Sequence, residues 1–334
     1  MIDRRVVVAS SKDGLAAAIR VAATESGLLG RLKSDTRVAL KPNFTYPCHK
    51  AGVTTSPSMI RETVRLLREV TSRIAIVESD GGYGLWSARD AFHGHELQAI
   101  REEFGVELVN LCEEPREVVS FESMGREWRL PLPTRLLHET EVFVTLPVPK
   151  VHSLTGLTLG YKNQWGCIPD PMRLRSHHLF NDGIVAINRA LRPMVLADGT
   201  YFLDRNGPMD GEPVRMDLII GASDVGAFDR YVSELMGFPW RRVAHLRRAV
   251  TLRDMPERLD EIVFNVSPTE QRTRTFRLHR TLRNWMALAG FNSRFLTWLG
   301  YESWFGRVIL HAVLYAIAGR PAVARPETRP SASG

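Results

Sequence analysis

The sequence predicts an α/β fold: a mainly parallel sheet flanked by helices in a three-layer sandwich, followed by a helical, aromatic-rich appendage at the C-terminal end. Three observations carry that expectation. Short β-branched runs recur as far as residue 223, amphipathic helical patterns fill the gaps between them, and polar, glycine-rich segments follow several of the runs.

Seven runs read as strands: RVVVA from Arg5, RVALK from Arg37, RIAIVES from Arg73, VELVN from Val106, EVFVTL from Glu141, MVLAD from Met194 and DLIIGAS from Asp217. Runs this brief, alternating with helices, point to βαβ units. The first intervening helix is marked by a stripe of Leu15, Ile19 and Ala22. A second begins where Ser56 caps and Pro57 occupies the first turn, and Ile60, Val64 and Leu67 then share one face. Asp224 caps a later helix whose apolar face holds Ala227, Tyr231 and Leu235 and which ends at Gly237. Residues 1–265 are expected to form this core, 266–322 a basic, aromatic, amphipathic helical segment, and 323–334 a disordered tail rich in Pro, Ser and Gly.

Composition narrows the function classes. With 44% hydrophobic and 24% charged residues the chain has the balance of a folded globular protein. Cys48, Cys112 and Cys167 are scattered and form no CxxC pair, so this chain alone assembles neither a disulfide framework nor an iron–sulfur cluster. The start reads as a strand and an amphipathic helix, with no basic head, continuous apolar stretch and cleavage site, so the expected compartment is the cytoplasm. The net charge of +7 is uneven, with arginines crowding the chain after Pro239. Clustered charge attracts something anionic. Between residues 276 and 320 the arginines interleave with Phe276, Trp285, Phe291, Phe295, Trp298, Trp304 and Phe305, a pattern that suits a peripheral seat on an anionic membrane, at its inner face, or an interface between copies of the chain. The apolar run 308–319 is shorter than the ~20 residues a membrane span needs. No nucleic-acid module is recognisable, which ranks nucleic acid last among the partners.

The chemistry concentrates in residues 147–183, most of it within LPVPKVHSLTGLTLGYKNQWGCIPDPMRLRSHH. Pro147 and Pro149 end the preceding strand, because proline has no amide hydrogen to give a ladder. Lys150 and His152 follow at once, then Thr155, Lys162, Asn163, Arg173, His177 and His178. Taken singly, such residues are usually structural or solvated. Crowded together with hydroxyls and glycines and few acids, they suit a carboxylate or phosphate. His152, Lys150 and Lys162 are the expected catalytic groups, His152 because its ordinary pKa lies near neutrality. Lys41, Asn43, Thr155, Asn163, Arg173 and Asp198 are the expected substrate contacts, since loops after parallel strands converge on one crevice. Asp80 with its glycines only loosely suggests a phosphate turn, and no nucleotide fingerprint is present. A metal reading draws on His152, His177 and His178.

The ordered motifs VALKPN, TTSP, IVESDGG, PKVHSLTGLTLGYKNQWGCIP, VLADG, NGPMDG and GASDVGAFD resemble the family catalogued as domain of unknown function number 362, over about residues 37–237. The resemblance implies an α/β domain in which Lys41, Asn43, Lys150, His152, Lys162, Asn163 and Asp198 occupy motif positions. Many members of that family carry ferredoxin-like cysteine clusters, which implies redox work, and the three scattered cysteines here depart from that pattern. A looser likeness to lactate racemase, where lysine and histidines handle a nickel pincer cofactor, implies a metallo-cofactor-dependent oxidoreductase or racemase. The expected function is therefore an enzyme acting on a small anionic substrate by proton transfer or a linked redox step. A metallo-cofactor enzyme and a non-catalytic membrane-surface scaffold are the alternatives.

Overall fold

The computed structural model describes residues 4–81, 84–123, 126–272, 274–291 and 293–310. The expected tail at 323–334, and the apolar run beyond Leu310, lie outside the described residues. In chain order the principal elements are β1 (Arg5–Ser10), α1 (Leu15–Glu25), β2 (Val38–Pro42), α2 (Pro57–Arg68), β3 (Ile74–Glu78), α3 (Ala88–Gly94), α4 (Leu97–Phe104), β4 (Glu107–Asn110), β5 (Arg116–Ser123), β6 (Arg126–Pro133) and β7 (Val142–Leu146). There follow β8 (Lys150–His152), β9 (Gly156–Thr158), α5 (Gly160–Asn163), α6 (Phe180–Leu191), β10 (Met194–Asp204), β11 (Glu212–Ala222), α7 (Val225–Leu235), α8 (Ala244–Thr251), β12 (Val263–Phe264), α9 (Leu282–Phe291) and α10 (Arg294–Thr297).

All seven expected runs are strands of one ten-stranded sheet; its order is β12-β1-β11-β10-β7-β2-β3-β4, with the short β12 at one edge and β8 and β9 off this path. From β10 through β4 the neighbours are parallel, whereas β11 runs antiparallel to both β1 and β10. The antiparallel part arises because β10 and β11 are eleven residues each, longer than their apolar runs, and turn back on one another as a hairpin. A second hairpin, β5–β6, forms a separate two-stranded sheet.

The layering is written in the alternation of the strands. Leu40, Ile76, Val144, Leu196 and Ile219 face one apolar layer with α1, α2, α3 and α4. Their neighbours Ala39, Val77, Phe143, Val195 and Ile220 face the other, with α6, α7, α8 and Leu130 and Leu132 of β6. Successive strand side chains point to opposite faces, so a strand apolar at every position is one buried on both sides. The expected caps hold: Ser56 Oγ accepts from Met59 N at 3.2 Å, and Asp224 Oδ1 accepts from Ala227 N at 2.9 Å.

Past β12 the chain stays on the core. Phe276 is buried against Phe202, their ring centroids 5.7 Å apart, and the Asp204 carboxylate pairs with Arg274 at 2.7 Å. The short helices α9 and α10 follow. Among the described residues, no helix is long and apolar enough to cross a membrane.

Candidate functional site

The carboxyl ends of β2, β3 and β7 deliver Lys41, Glu78 and Leu146 to one edge of the sheet, and Asp198 sits midway along β10. After Pro147 and Pro149 the chain pairs again for three residues as β8, with Lys150 opposite Leu203 of β10, and folds back as β9. It then enters the one-turn helix α5, whose first amides are capped by the buried Asp229: Gly160 N donates to Oδ1 at 2.7 Å. Only glycine fits at 160, since a β-carbon there would lie 2.8 Å from that same oxygen. Burial pushes the Asp229 carboxyl well above its usual value, against the pull of the two amides it receives.

Three of the motif residues are fully engaged in holding this edge together. Lys41 is buried and pairs with Glu78 Oε2 at 2.8 Å. Burial pushes the Glu78 carboxyl up, and the Lys41 ammonium opposes the shift. The backbone of Gly166 lies over this pair, so close that a β-carbon would be 3.2 Å from both Lys41 Nζ and Glu78 Oε1. Lys150, also buried, donates to Asn43 Oδ1, to Thr45 Oγ1 at 3.2 Å and to the Val53 carbonyl. Burial and then the charges of Lys162 and Lys41 hold its pKa well below the lysine range, but its three acceptors match the three donors of an ammonium. Asn163 accepts from Asn43 Nδ2 at 2.9 Å and donates to Thr145 Oγ1 at 2.8 Å and to the Lys41 carbonyl at 3.2 Å. Thr155 Oγ1 donates to the Leu157 carbonyl at 3.0 Å. These side chains staple the loop 43–55, the β8–β9 hairpin and α5 to one another.

Lys162 is different. It lies on the same helical turn as Asn163 and is only partly buried. Among the described residues no hydrogen bond or ion pair engages its Nζ, which lies over the face of Phe180, 5.9 Å from the ring centroid. Burial and then the neighbouring Arg173 guanidinium lower its pKa to about 7. Around the same Phe180 ring stand Trp165 at 4.9 Å, His245 at 5.4 Å and His177 at 6.4 Å between centroids. His245 is buried, and among the described residues neither of its ring nitrogens has a hydrogen-bond partner. Burial and then Lys162 push both His177 and His245 down to about 3. His152 is held well below its ordinary value, first by burial and then by Lys162 and Lys150. Its Nδ1 accepts from the amides of Leu154 at 3.1 Å and Thr155 at 3.4 Å, so the proton of the neutral ring sits on Nε2. At neutral pH this histidine is a hydrogen-bond donor and not a free base.

Arg173 approaches from the turn Arg173–Leu179 and is pinned by Nη1 to the carbonyls of Asp80 at 2.8 Å and Asp170 at 3.3 Å and to Ser79 Oγ at 3.2 Å. Among the described residues no carboxylate forms an ion pair with it, although its charge helps hold down the raised Glu78 carboxyl. Asp80 itself is structural, its Oδ1 accepting from Ala88 N and Asn110 Nδ2. His178 is exposed and turns away toward Trp128, ring centroids 6.2 Å apart. His152, His177 and His178 therefore do not converge as a metal-ligand set, and among the described residues no three His, Cys, Asp or Glu side chains do. Asp198 also stands apart from the lysine and histidine cluster. It accepts from Ser56 N and Oγ at 2.9 and 2.8 Å and lines a cleft of about 300 Å³ with His49, Thr54, Tyr201 and Arg215.

Phe180 and His245 are the site residues that the sequence pattern missed. Phe180 adjoins the HH pair and reads as the first apolar residue of a helix. His245 lies far down the chain in an arginine-rich stretch, and only the packing of α8 on α6 brings it here.

Comparison with known proteins gives the family. Residues 38–234 match the family described as Domain of unknown function (DUF362), and the chain belongs to it. The chain is also similar to the thylakoid-associated protein sll1697 of Synechocystis sp. (strain ATCC 27184 / PCC 6803 / Kazusa), 25% identical over 233 residues that cover 66% of this chain and 70% of that protein. No solved structure matches.

Proposed function

We propose that this member of the family is an enzyme that binds a small carboxylate or phosphate beside Lys162 and moves a proton on it. The observation that carries the reading is Lys162 itself. It is an amine that makes no hydrogen bond or ion pair among the described residues, and it is set among Arg173, His152, His177 and His245. A positive, partly dehydrated site of this kind favours an anionic ligand, and a lysine titrating near 7 is suited to proton transfer at the pH of the cell.

In this reading Arg173 holds the anionic group and orients it. The neutral Lys162 amine removes a proton from the substrate. The Nε2–H of His152 donates to the oxygen on which negative charge develops, a role that needs a neutral imidazole whose other nitrogen is already engaged. Asn163, Lys150 and Lys41 fix the frame from which these groups project.

A thermal-shift panel of small carboxylates and phosphates on the wild-type protein, repeated on Lys162→Met, tests the binding half. Stabilisation of the wild type that the variant loses is the expected result. Turnover of the selected compounds by wild type and Lys162→Met then tests the catalytic half, and equal rates would sink the assignment.

A second reading concerns location. We extend to this chain a peripheral seat on a membrane surface. The description of the Synechocystis relative as thylakoid-associated and the basic, aromatic C-terminal segment both support it.

A further inference from the structure

We propose that residues 282–309 form the membrane-docking face, an interfacial aromatic surface for bilayers rich in anionic lipid. The proposal rests on the peripheral location above and assigns it to named side chains and one lipid charge class.

The first argument is exposure. Among the described residues, nine of the fourteen exposed large apolar side chains fall in this stretch, and so do all five exposed Trp and Phe: Trp285, Phe295, Trp298, Trp304 and Phe305. The remaining five, such as Val118 and Met209, are spread singly over the rest of the chain, which is ordinary for a folded surface. Such a concentration of large aromatic side chains in water is not ordinary and marks an interaction surface.

The second argument is charge. Between residues 277 and 310 the sequence carries Arg277, Arg280, Arg283, Arg294 and Arg307 against the single acid Glu302. Arginines near the headgroups of anionic lipids gain attraction that falls away within a Debye length. Trp and Phe suit the boundary between headgroup and acyl chain.

The third argument is shape. The segment runs as short helices, α9 of ten residues and α10 of four, followed by helical turns at Trp298–Glu302 and Phe305–Leu310. At about 1.5 Å per residue none of them crosses a hydrocarbon core, so they lie along a surface. Leu282, Leu296, Val308 and Ile309 are exposed with the aromatics. Aliphatic side chains gain nothing from stacking on bases, so their presence favours lipid over single-stranded nucleic acid.

The face is tied to the candidate site. Arg280 Nε donates to the Ser153 carbonyl at 2.6 Å, next to His152, while its guanidinium covers Trp285 at 5.2 Å from the ring centroid. Both α9 and α10 pack against the turn Arg173–Leu179, which carries Arg173 and His177. Docking by this face sets the site beside the lipid headgroups.

The test is co-sedimentation of the full chain with phosphatidylcholine vesicles, with and without phosphatidylglycerol, at low and high salt. It is run on wild type, on Trp298→Ser, on Trp304→Ser combined with Phe305→Ser, and on Val118→Ser as an exposed apolar control. A thermal melt confirms that each variant is folded. The expected result is binding to the anionic vesicles that weakens with salt, falls at least about ten-fold in the aromatic variants, and is unchanged in the control. Wild-type binding that the aromatic variants retain in full overturns the assignment of this face and leaves the peripheral location standing. No wild-type binding to anionic vesicles overturns both. Self-association of the wild type that these aromatic substitutions abolish, without vesicle binding, identifies the face as an interface between copies and likewise overturns the proposal.

Discussion

Lys150 and Lys162 belong to one stretch of chain and to two different environments. Lys150 projects from a strand into a ring of oxygens from Asn43, Thr45 and Val53, and each of its donors is satisfied. Lys162 projects from the helical turn that follows and meets an aromatic face, an arginine and neutral histidines. Both amines are depressed by burial, but the consequences differ. An amine with three acceptors is a clamp, and one with none among the described residues is open to a ligand. Motif membership does not separate the two roles; hydrogen-bond accounting does.

The contrast is broken most forcefully from the clamp side. Replacing Lys41 by Met leaves the Glu78 carboxylate buried without its cation, and loss of one partner of a buried pair costs roughly 3–5 kcal/mol. Urea unfolding should register that loss, and a stability within experimental error of wild type would mean that the pair is not formed. Next in size is Lys150→Met, which strips the Val53 carbonyl and Asn43 Oδ1 of their donor at about 1–3 kcal/mol for each buried group left unsatisfied. The same unfolding experiment measures it, and enhanced proteolysis of the loop 43–55 is the expected companion.

Lys162→Met should behave in the opposite sense. The folded pKa of about 7 lies below that of a lysine in the unfolded chain, so the unfolded state binds more protons between the two values. Lys162 therefore contributes a stability that rises with pH across that window, and its burial penalty is fully present below about pH 7. The Met variant is expected to lose this part of the pH slope and to be as stable as wild type or more so at pH 6, while losing anion binding. Melting curves from pH 6 to pH 10 show whether it does. The smallest expected effect is at Thr155→Val, which removes one hydroxyl bond to the Leu157 carbonyl and costs about 1 kcal/mol with anion binding retained.

How much of this was legible in the sequence follows the range of the interactions. The seven strands and the caps at Ser56 and Asp224 depend on local pattern, and all were readable. The β5–β6 hairpin was not, because REVVSFES and REWRLPLP mix charges and prolines into strands that bury one face only. The lengths of β10 and β11 escaped for a similar reason: their outer halves pair in a hairpin built of residues with loop-like composition.

The site was legible as a place and not as a division of labour. Nothing near Lys41 in the chain announces Glu78, nothing near Lys150 announces the Val53 carbonyl, and His245 enters only through the packing of α8. The histidine pair misled in a simple way. Adjacent side chains on a tight turn diverge, which sends His177 toward Phe180 and His178 toward Trp128.

The central claim is that the Lys162 amine is the group an anionic ligand meets. Titrating it directly, by NMR of the reductively ¹³C-methylated protein with Lys162→Arg identifying its resonance, tests that claim most closely. A midpoint near 7 in the free protein is predicted, moving upward when a carboxylate or phosphate selected by the thermal-shift panel is added, because the bound anion favours the ammonium. A midpoint in the ordinary lysine range that no anion moves would contradict the account.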